Sequence, residues 1–181
     1  MNIAVFCGAN TGTDPAILQA AQAMGRTIAQ RGMGVVYGGG HVGLMGAVAD
    51  AALEAGGKVI GVIPGFMMEK ELAHQGLTEL IVVRDMHERK MRMHELSQAV
   101  VALPGGFGTM DEVFELLTWR QLGLHAKPIG VLNVNDFYTS LLEQVARMER
   151  DGFLHGPTRI LAAREVEGLL DTVVASVSAH H

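Results

Sequence analysis

Ala99–Glu112 reads AVVALPGGFGTMDE, and the fold is decided here. Its opening apolar run, Ala99–Leu103, is rich in Val, too short for a helix and reads as a buried strand. Pro104 stops that strand, Gly105, Gly106 and Gly108 follow, and from Thr109 a helical pattern runs through Glu112, Glu115 and Leu116. Strand, glycine turn and helix start together form an anion cradle, because backbone N–H groups point outward and the helix dipole favours negative charge. Glycine is needed where a side chain would keep a phosphate from the backbone. Thr109-x-x-Glu112 also matches a capping box, in which Glu112 only satisfies a backbone N–H at its own helix start. Three glycines in four residues exceed what a cap requires and favour the cradle, where Thr109 can both cap and donate its hydroxyl. The carboxylates Asp111 and Glu112 lie one turn on, which points to chemistry on a phosphorylated molecule at an atom other than phosphorus.

Outward from this stretch, short apolar runs alternate with amphipathic ones. Strands are expected at Ile3–Cys7, Met33–Tyr37, Lys58–Ile63, Leu77–Val83, Ala99–Leu103, Pro128–Leu132 and Arg159–Ala162. Helices are expected from Asp14-Pro15 to Arg31, over His41–Ala55, Met86–Leu96, Thr109–Leu122, Asp136–Arg150 and Glu165–Ser176. Gly65–Gly76 is less regular. Near-continuously apolar strands alternating with helices imply a parallel sheet covered on both faces. The expected fold class is α/β, a Rossmann-like doubly wound sheet with ligands bound outside the carboxyl ends of its strands. The glycine loops all fall at those ends, and residues 1–181 are read as one nucleotide-binding domain.

Other motifs compete with this reading. Gly38-x-Gly40-x-x-Gly43 matches the dinucleotide fingerprint, but the next strand ends Val62-Ile63-Pro64, without the acid that would hold a ribose hydroxyl. These glycines are expected to form a second wall of the crevice, or to let helix and strand pack closely. No G-x-x-x-x-G-K-[ST] occurs. Met86-His87-Glu88-Arg89-Lys90 opens a helix at the same sheet edge, where Arg89 can bind a phosphate or orient a carboxylate; a solvated face is the plainer reading. His87 and His94 lie seven apart without a third ligand, so no metal site is expected. Cys7 sits at a strand end with no evident base.

Composition narrows the partners. The 181 residues are 49% hydrophobic and 18% charged, the mark of a compact soluble protein. Fourteen basic against nineteen acidic residues leave a net charge of −5, which argues against nucleic acid and anionic membrane. One cysteine allows neither an internal disulfide nor a cysteine zinc cluster. MNIAVFCGAN lacks the features of a signal peptide, and no apolar run reaches the ~20 residues that span a bilayer, so the cytoplasm is the expected compartment. Residues 179–181 are set aside as a disordered tail or tag remnant.

Gly38–Gly46 (GGGHVGLMG), Met86–Lys90 (MHERK), Pro104–Glu112 (PGGFGTMDE) and Trp119–Pro128 (WRQLGLHAKP) together resemble the LOG (Lonely guy) family. Pro104–Glu112 matches the P-G-G-x-G-T-x-x-E signature at every fixed position, and the likeness runs from Ile3 to about Leu161. The resemblance implies a phosphoribohydrolase that splits the N-glycosidic bond of a nucleoside 5′-monophosphate, AMP or an N6-modified cytokinin nucleotide, to free base and ribose 5-phosphate. It implies Glu112 and Arg89 as the catalytic pair and a phosphate cradle of Gly105, Gly106, Gly108 and Thr109. Phe107 and Met110 within the loop, with Lys90, Asp111, Thr118 and Glu71, complete the implied substrate-binding set. Asp111 stands where glutamate is common, and Glu115 is read as a solvent-facing helix residue rather than a partner of the site. The length and the WRQLG segment resemble the homodimeric subgroup. No metal or redox cofactor is required.

The chemistry agrees with the residues. Breaking C1′–N leaves an oxocarbenium-like centre, which a carboxylate stabilises while water attacks. Relatives labelled lysine decarboxylases give no reason to extend that label, because Lys58, Lys70, Lys90 and Lys127 show no pyridoxal-phosphate context. A second reading is a non-catalytic nucleotide or molybdenum-cofactor carrier with the same glycine-cradled crevice; such a protein has no need to pair Glu112 with Arg89.

Overall fold

In β1 (Asn2–Phe6) successive side chains leave on opposite faces of the sheet, and both faces are covered. Ile3 and Val5 pack on one side with Ala21, Met24 and Ile28, while Ala4 and Phe6 pack on the other with Val113 and Tyr138. The same double burial holds for β2 (Gly34–Tyr37), β3 (Val59–Pro64), β5 (Ala99–Ala102) and β6 (Ile129–Leu132), which is why their sequences are apolar without alternation. Each fully buried Val or Ile contributes roughly 1.5–3 kcal/mol relative to exposure. Edge strands β4 (Glu79–Val83) and β7 (Leu161–Ala163) are partly open to solvent.

The computed structural model describes residues 1–69, 72–156 and 159–179. All strand pairs in the seven-stranded sheet are parallel, in the order β4-β3-β2-β1-β5-β6-β7. Helices α1 (Pro15–Gln30), α2 (Gly43–Glu54) and α6 (Val166–Ser178) supply one face. Helices α3 (Met86–Glu95), α4 (Phe107–Gln121) and α5 (Thr139–Arg150) supply the other. This is the α/β Rossmann-like fold expected from the pattern. Strand order reverses between β1 and β5, and there the chains diverge to leave a crevice. Among the described residues, no helix is long and apolar enough to cross a membrane.

The expected elements are present with ends displaced by a few residues, and two displacements have clear causes. Helix α5 begins at Thr139 rather than Asp136, because Asn135 and Asp136 hold φ of 47° and 60°, which a right-handed helix excludes. Helix α4 begins at Phe107 with Gly106 as its N-cap, so Thr109 is its third residue and does not cap it. Among its described residues, the irregular stretch after β3 holds a 3₁₀ turn, Gly65–Met67, and a bridge between Gly40 and Ala73.

Candidate functional site

A cavity of about 460 Å³ opens at the point where strand order reverses, within the range of small-molecule sites. Its walls come from the carboxyl-end loops of β1, β2 and β5 and from the starts of α3 and α4. The loops after β1 and β5 are tied together, Gly8 N–H donating to Pro104 O at 3.1 Å. Gly105, Gly106, Gly108, Thr109, Glu112 and Arg89 all line the cavity.

Helix α4 starts at the glycine turn. Its N-cap is a glycine and provides no side-chain hydrogen bond, so its leading N–H groups are not capped from that position. Thr109 is buried, with its hydroxyl beside the Cα of Gly105. Glu112 follows one turn later on the same helix, half-buried in the cavity wall. The exposed Phe107 and half-buried Met110 do not line the cavity; Met110 packs towards the core beneath the sheet.

Helix α3 places the cation. Asp85 caps it by accepting from Glu88 N–H at 2.8 Å, and Glu88 reaches back to accept from Arg84 N–H at 2.8 Å. On the inward face Arg89 is only 4% exposed. Its Nε donates to Val62 O at 3.1 Å and its Nη2 to Gly38 O at 2.7 Å, while Nη1 lies near the sulfurs of Met67 and Met86. Arg89 is thus a guanidinium pinned to the ends of β2 and β3 rather than a solvated helix charge. Gly38 lines the cavity beside it, and a Cβ there would lie 2.2 Å from Arg89 Nη2.

Lys90, next in sequence, points elsewhere. Its ammonium lies 3.0 Å from Asp111 and 2.9 Å from Glu115, both on α4. Burial alone would lower its pKa, but the hydrogen bonds and charges of Glu115 and Asp111 outweigh this and hold it above the ordinary lysine value. Glu115 was expected to face solvent; its side chain is 21% exposed and engaged with Lys90, because α3 runs alongside. Lys90, Asp111 and Thr118 lie outside the cavity lining, and the exposed Thr118 donates to Phe114 O on its own helix. Glu71, the remaining expected site residue, lies outside the described residues. Sequence reading assigned no role to Gly8 or Asn10, which also line the cavity; their place after the first strand was the available signal.

One trio among the described residues brings potential metal ligands together, His41, Asp50 and His74, within 4.8 Å of one another. His74 Nδ1 accepts from Gly76 N–H at 3.0 Å, so its proton sits on Nε2, 2.8 Å from Asp50. A metal at Nε2 would have to displace that proton while Nδ1 still faces an N–H donor. His74 and Asp50 form a hydrogen-bonded clasp between α2 and the loop before β4, with the His41 ring edge-on to His74 at 4.7 Å.

A family model described as "Possible lysine decarboxylase" matches residues 45–172. A protein of Rhodococcoides fascians named cytokinin riboside 5′-monophosphate phosphoribohydrolase is 48% identical over 175 residues, covering 95% of this chain and 88% of its own. One of the same name from Arabidopsis thaliana is 44% identical over 152 residues, covering 84% and 70%. The chain belongs to the LOG family. Among solved structures, a molybdenum cofactor carrier protein from Chlamydomonas reinhardtii aligns with TM-score 0.75 at 24% identity, covering 98% of each chain. A molybdenum cofactor binding protein from Rippkaea orientalis gives 0.72 at 24%, covering 96% and 95%. At that identity the two establish the shared fold alone.

The family's WRQLGLHAKP segment is a brace in this structure. Arg120 donates to Arg159 O, His125 Nε2 donates to Leu116 O, and Lys127 Nζ donates to His94 O. Burial holds the pKa of His94 down at about 4, with the Lys127 charge adding to the effect. None of Lys58, Lys90 and Lys127 lines the cavity, so none is placed to form an imine with a cofactor held there.

Proposed function

We propose that this chain hydrolyses the N-glycosidic bond of nucleoside 5′-monophosphates, AMP or its N6-modified cytokinin forms, releasing free base and ribose 5-phosphate. The observation that carries the reading is that Glu112 and Arg89 line the same cavity as the glycine-led N-terminus of α4. A cradle alone serves any phosphate ligand; the acid and the pinned guanidinium add means for chemistry. Family membership and relatives of that name at 41–48% identity support the same activity.

In this reading the 5′-phosphate sits against the N–H groups of Gly106, Gly108 and Thr109, with Gly105 giving close approach. Phe107 and Met110 belong to the same loop; the family resemblance adds Lys90, Asp111, Thr118 and Glu71 to the substrate-binding set, the first three from outside the cavity lining. Bound phosphate places the ribose so that C1′ faces Glu112. As the C1′–N bond breaks, its electron pair leaves with the base, and the carboxylate of Glu112 stabilises the positive charge at C1′. Glu112 orients the attacking water, whose oxygen bonds to C1′ while its proton passes on to the departing base. Arg89, fixed by Gly38 and Val62, acts as a stationary charge that holds the carboxylate or ribose in place. A homodimer, formed through the exposed Met91, Phe114, Leu122 and Leu124 of the α3 and α4 side, belongs to the same proposal. Sedimentation velocity checks it.

The decisive experiment is chromatographic detection of free base from AMP, GMP, CMP and N6-isopentenyl-AMP, with adenosine and a Glu112→Gln variant alongside. Release that requires both the phosphate and Glu112 supports the hydrolase. The carriers share the fold at about one-quarter identity; tight nucleotide binding with no base released would move the assignment to them.

A further inference from the structure

A 5′-phosphate brings close to two negative charges into the cavity, on oxygens that point in different directions. Among the described residues, the polar side chains lining the cavity are those of Cys7, Asn10, Thr11, Arg89, Thr109 and Glu112, and Arg89 is the one cation. Its guanidinium is tied to Gly38 O and Val62 O. Neutral donors must therefore carry much of the phosphate's hydrogen bonding, and the start of α4 offers them from one wall only.

The neighbouring wall is the loop after β1, Gly8–Gly12. Gly8 N–H donates to Pro104 O at 3.1 Å, and a Cβ on Gly8 would lie 3.4 Å from Gly105 Cα, so this loop abuts the glycine turn that leads into α4. The missing side chain of Gly43 leaves room for Ala9 O and Asn10 N, which a Cβ there would meet at 2.1 and 2.7 Å. The backbone at Asn10 is thus fitted closely against Gly43, two residues from the Gly8 contact. The cap of α1 is Asp14, which accepts from Ala16 N–H at 2.9 Å, and Thr11 donates to Gly12 O at 3.3 Å. Asn10 itself is exposed, and among the described residues its side chain makes no hydrogen bond to the protein. The fold holds its backbone and leaves its amide for something else.

We propose that Asn10 is a substrate-binding residue, its Nδ2–H donating to the 5′-phosphate from the β1 wall while α4 meets it with backbone N–H groups. This rests on the reading of the ligand as a nucleoside 5′-monophosphate. The residue type is what makes the contact selective. An amide donates, whereas the isosteric carboxylate of aspartate only accepts and sets like charge against phosphate. A ribose hydroxyl would not distinguish the two, because it accepts from an amide and donates to a carboxylate equally well.

The test compares Asn10→Ala and Asn10→Asp with the wild type. Calorimetric titration gives affinity and sites per chain for AMP and for ribose 5-phosphate, which carries the phosphate and no base, and steady-state kinetics follow base release from AMP. Expected for Asn10→Ala are full stoichiometry, an affinity for both ligands lower by roughly tenfold, and a raised KM with kcat within about threefold. Asn10→Asp weakens both by about a hundredfold. If the Asp variant does not fold, the Ala variant alone decides. Wild-type affinity in Asn10→Asp, a loss confined to AMP, or wild-type affinity in the fully folded Ala variant overturns the inference. A wild-type chain that binds AMP and releases no base from any nucleotide overturns the hydrolase reading instead, and the binding comparison still judges Asn10.

Discussion

Two glycine-rich loops lead from strand to helix at the same edge of the sheet, and their glycines do opposite work. After β2, the space a side chain would need is already filled by protein: a Cβ on Gly38 would meet Arg89 at 2.2 Å, and one on Gly43, at φ +67°, would meet Ala9 O at 2.1 Å. After β5, Gly106 and Gly108 face open space, with no atom within 4 Å of a built Cβ. The first loop is glycine-rich because the protein packs against it. In the second, Gly105 is packed as closely, a Cβ there meeting Thr109 Oγ1 at 2.1 Å, but Gly106 and Gly108 have nothing of the protein in that position, which leaves room for a ligand. A glycine motif alone does not separate these cases; the contents of the missing side chain's volume do.

The comparison sharpens most at the residue that only the second loop's helix supplies. Glu112→Gln is expected to lower kcat for base release by about 10²–10³-fold while nucleotide still binds, as calorimetry would register. Retained turnover would sink the distinction between cradle and catalyst. Next comes Gly38→Ala, in which the added methyl must displace the Arg89 guanidinium. A kcat loss of about 10–100-fold with a stability loss of about 1–3 kcal/mol is expected, from kinetics and urea unfolding on one preparation.

A third test lies outside both loops and calibrates the scaffold. His94 has a folded pKa of about 4 against an ordinary 6.5, so its neutral form is favoured on folding. Stability from this group is intact above pH 6.5 and is lost as pH falls towards 4, because only the unfolded chain takes up the proton. Allowing for partial exposure, the loss is about 1–2 kcal/mol, and His94→Gln should flatten the urea midpoint between pH 7 and 4.5. The smallest effect separates the loops most cleanly. Gly108→Ala, at a helical position with empty space, should raise stability by about 0.5–1 kcal/mol while raising KM roughly fivefold. Glycines at the first loop should never show that opposition of signs.

Much of this was legible in the chain. The α/β order and the double-sided sheet follow from apolar runs of strand length separated by helical periodicity, a local property of neighbouring residues. The PGGFGTMDE stretch reveals its glycine turn and helix start after the strand because the three are contiguous. Reading Thr109 as a cap failed because Gly106 already takes that position three residues before the expected helix start, and the helix simply begins earlier. Reading Glu115 as solvent-facing failed because the single-helix pattern contains no information on what lies opposite; α3, 25 residues earlier at Lys90, fills that side.

The sequence by itself determined the class of fold, the edge of the sheet at which the cavity opens, and the residue types available there. Only the tertiary structure decided that Arg89 is pinned to β2 and β3 while Lys90 turns to α4, and that Gly38 and Gly43 are packed while Gly106 and Gly108 are open. The reason is physical. Periodicity and turn chemistry act between residues a few positions apart, whereas the partner of a buried charge and the occupant of a missing side chain's volume come from segments that meet only when the sheet is assembled.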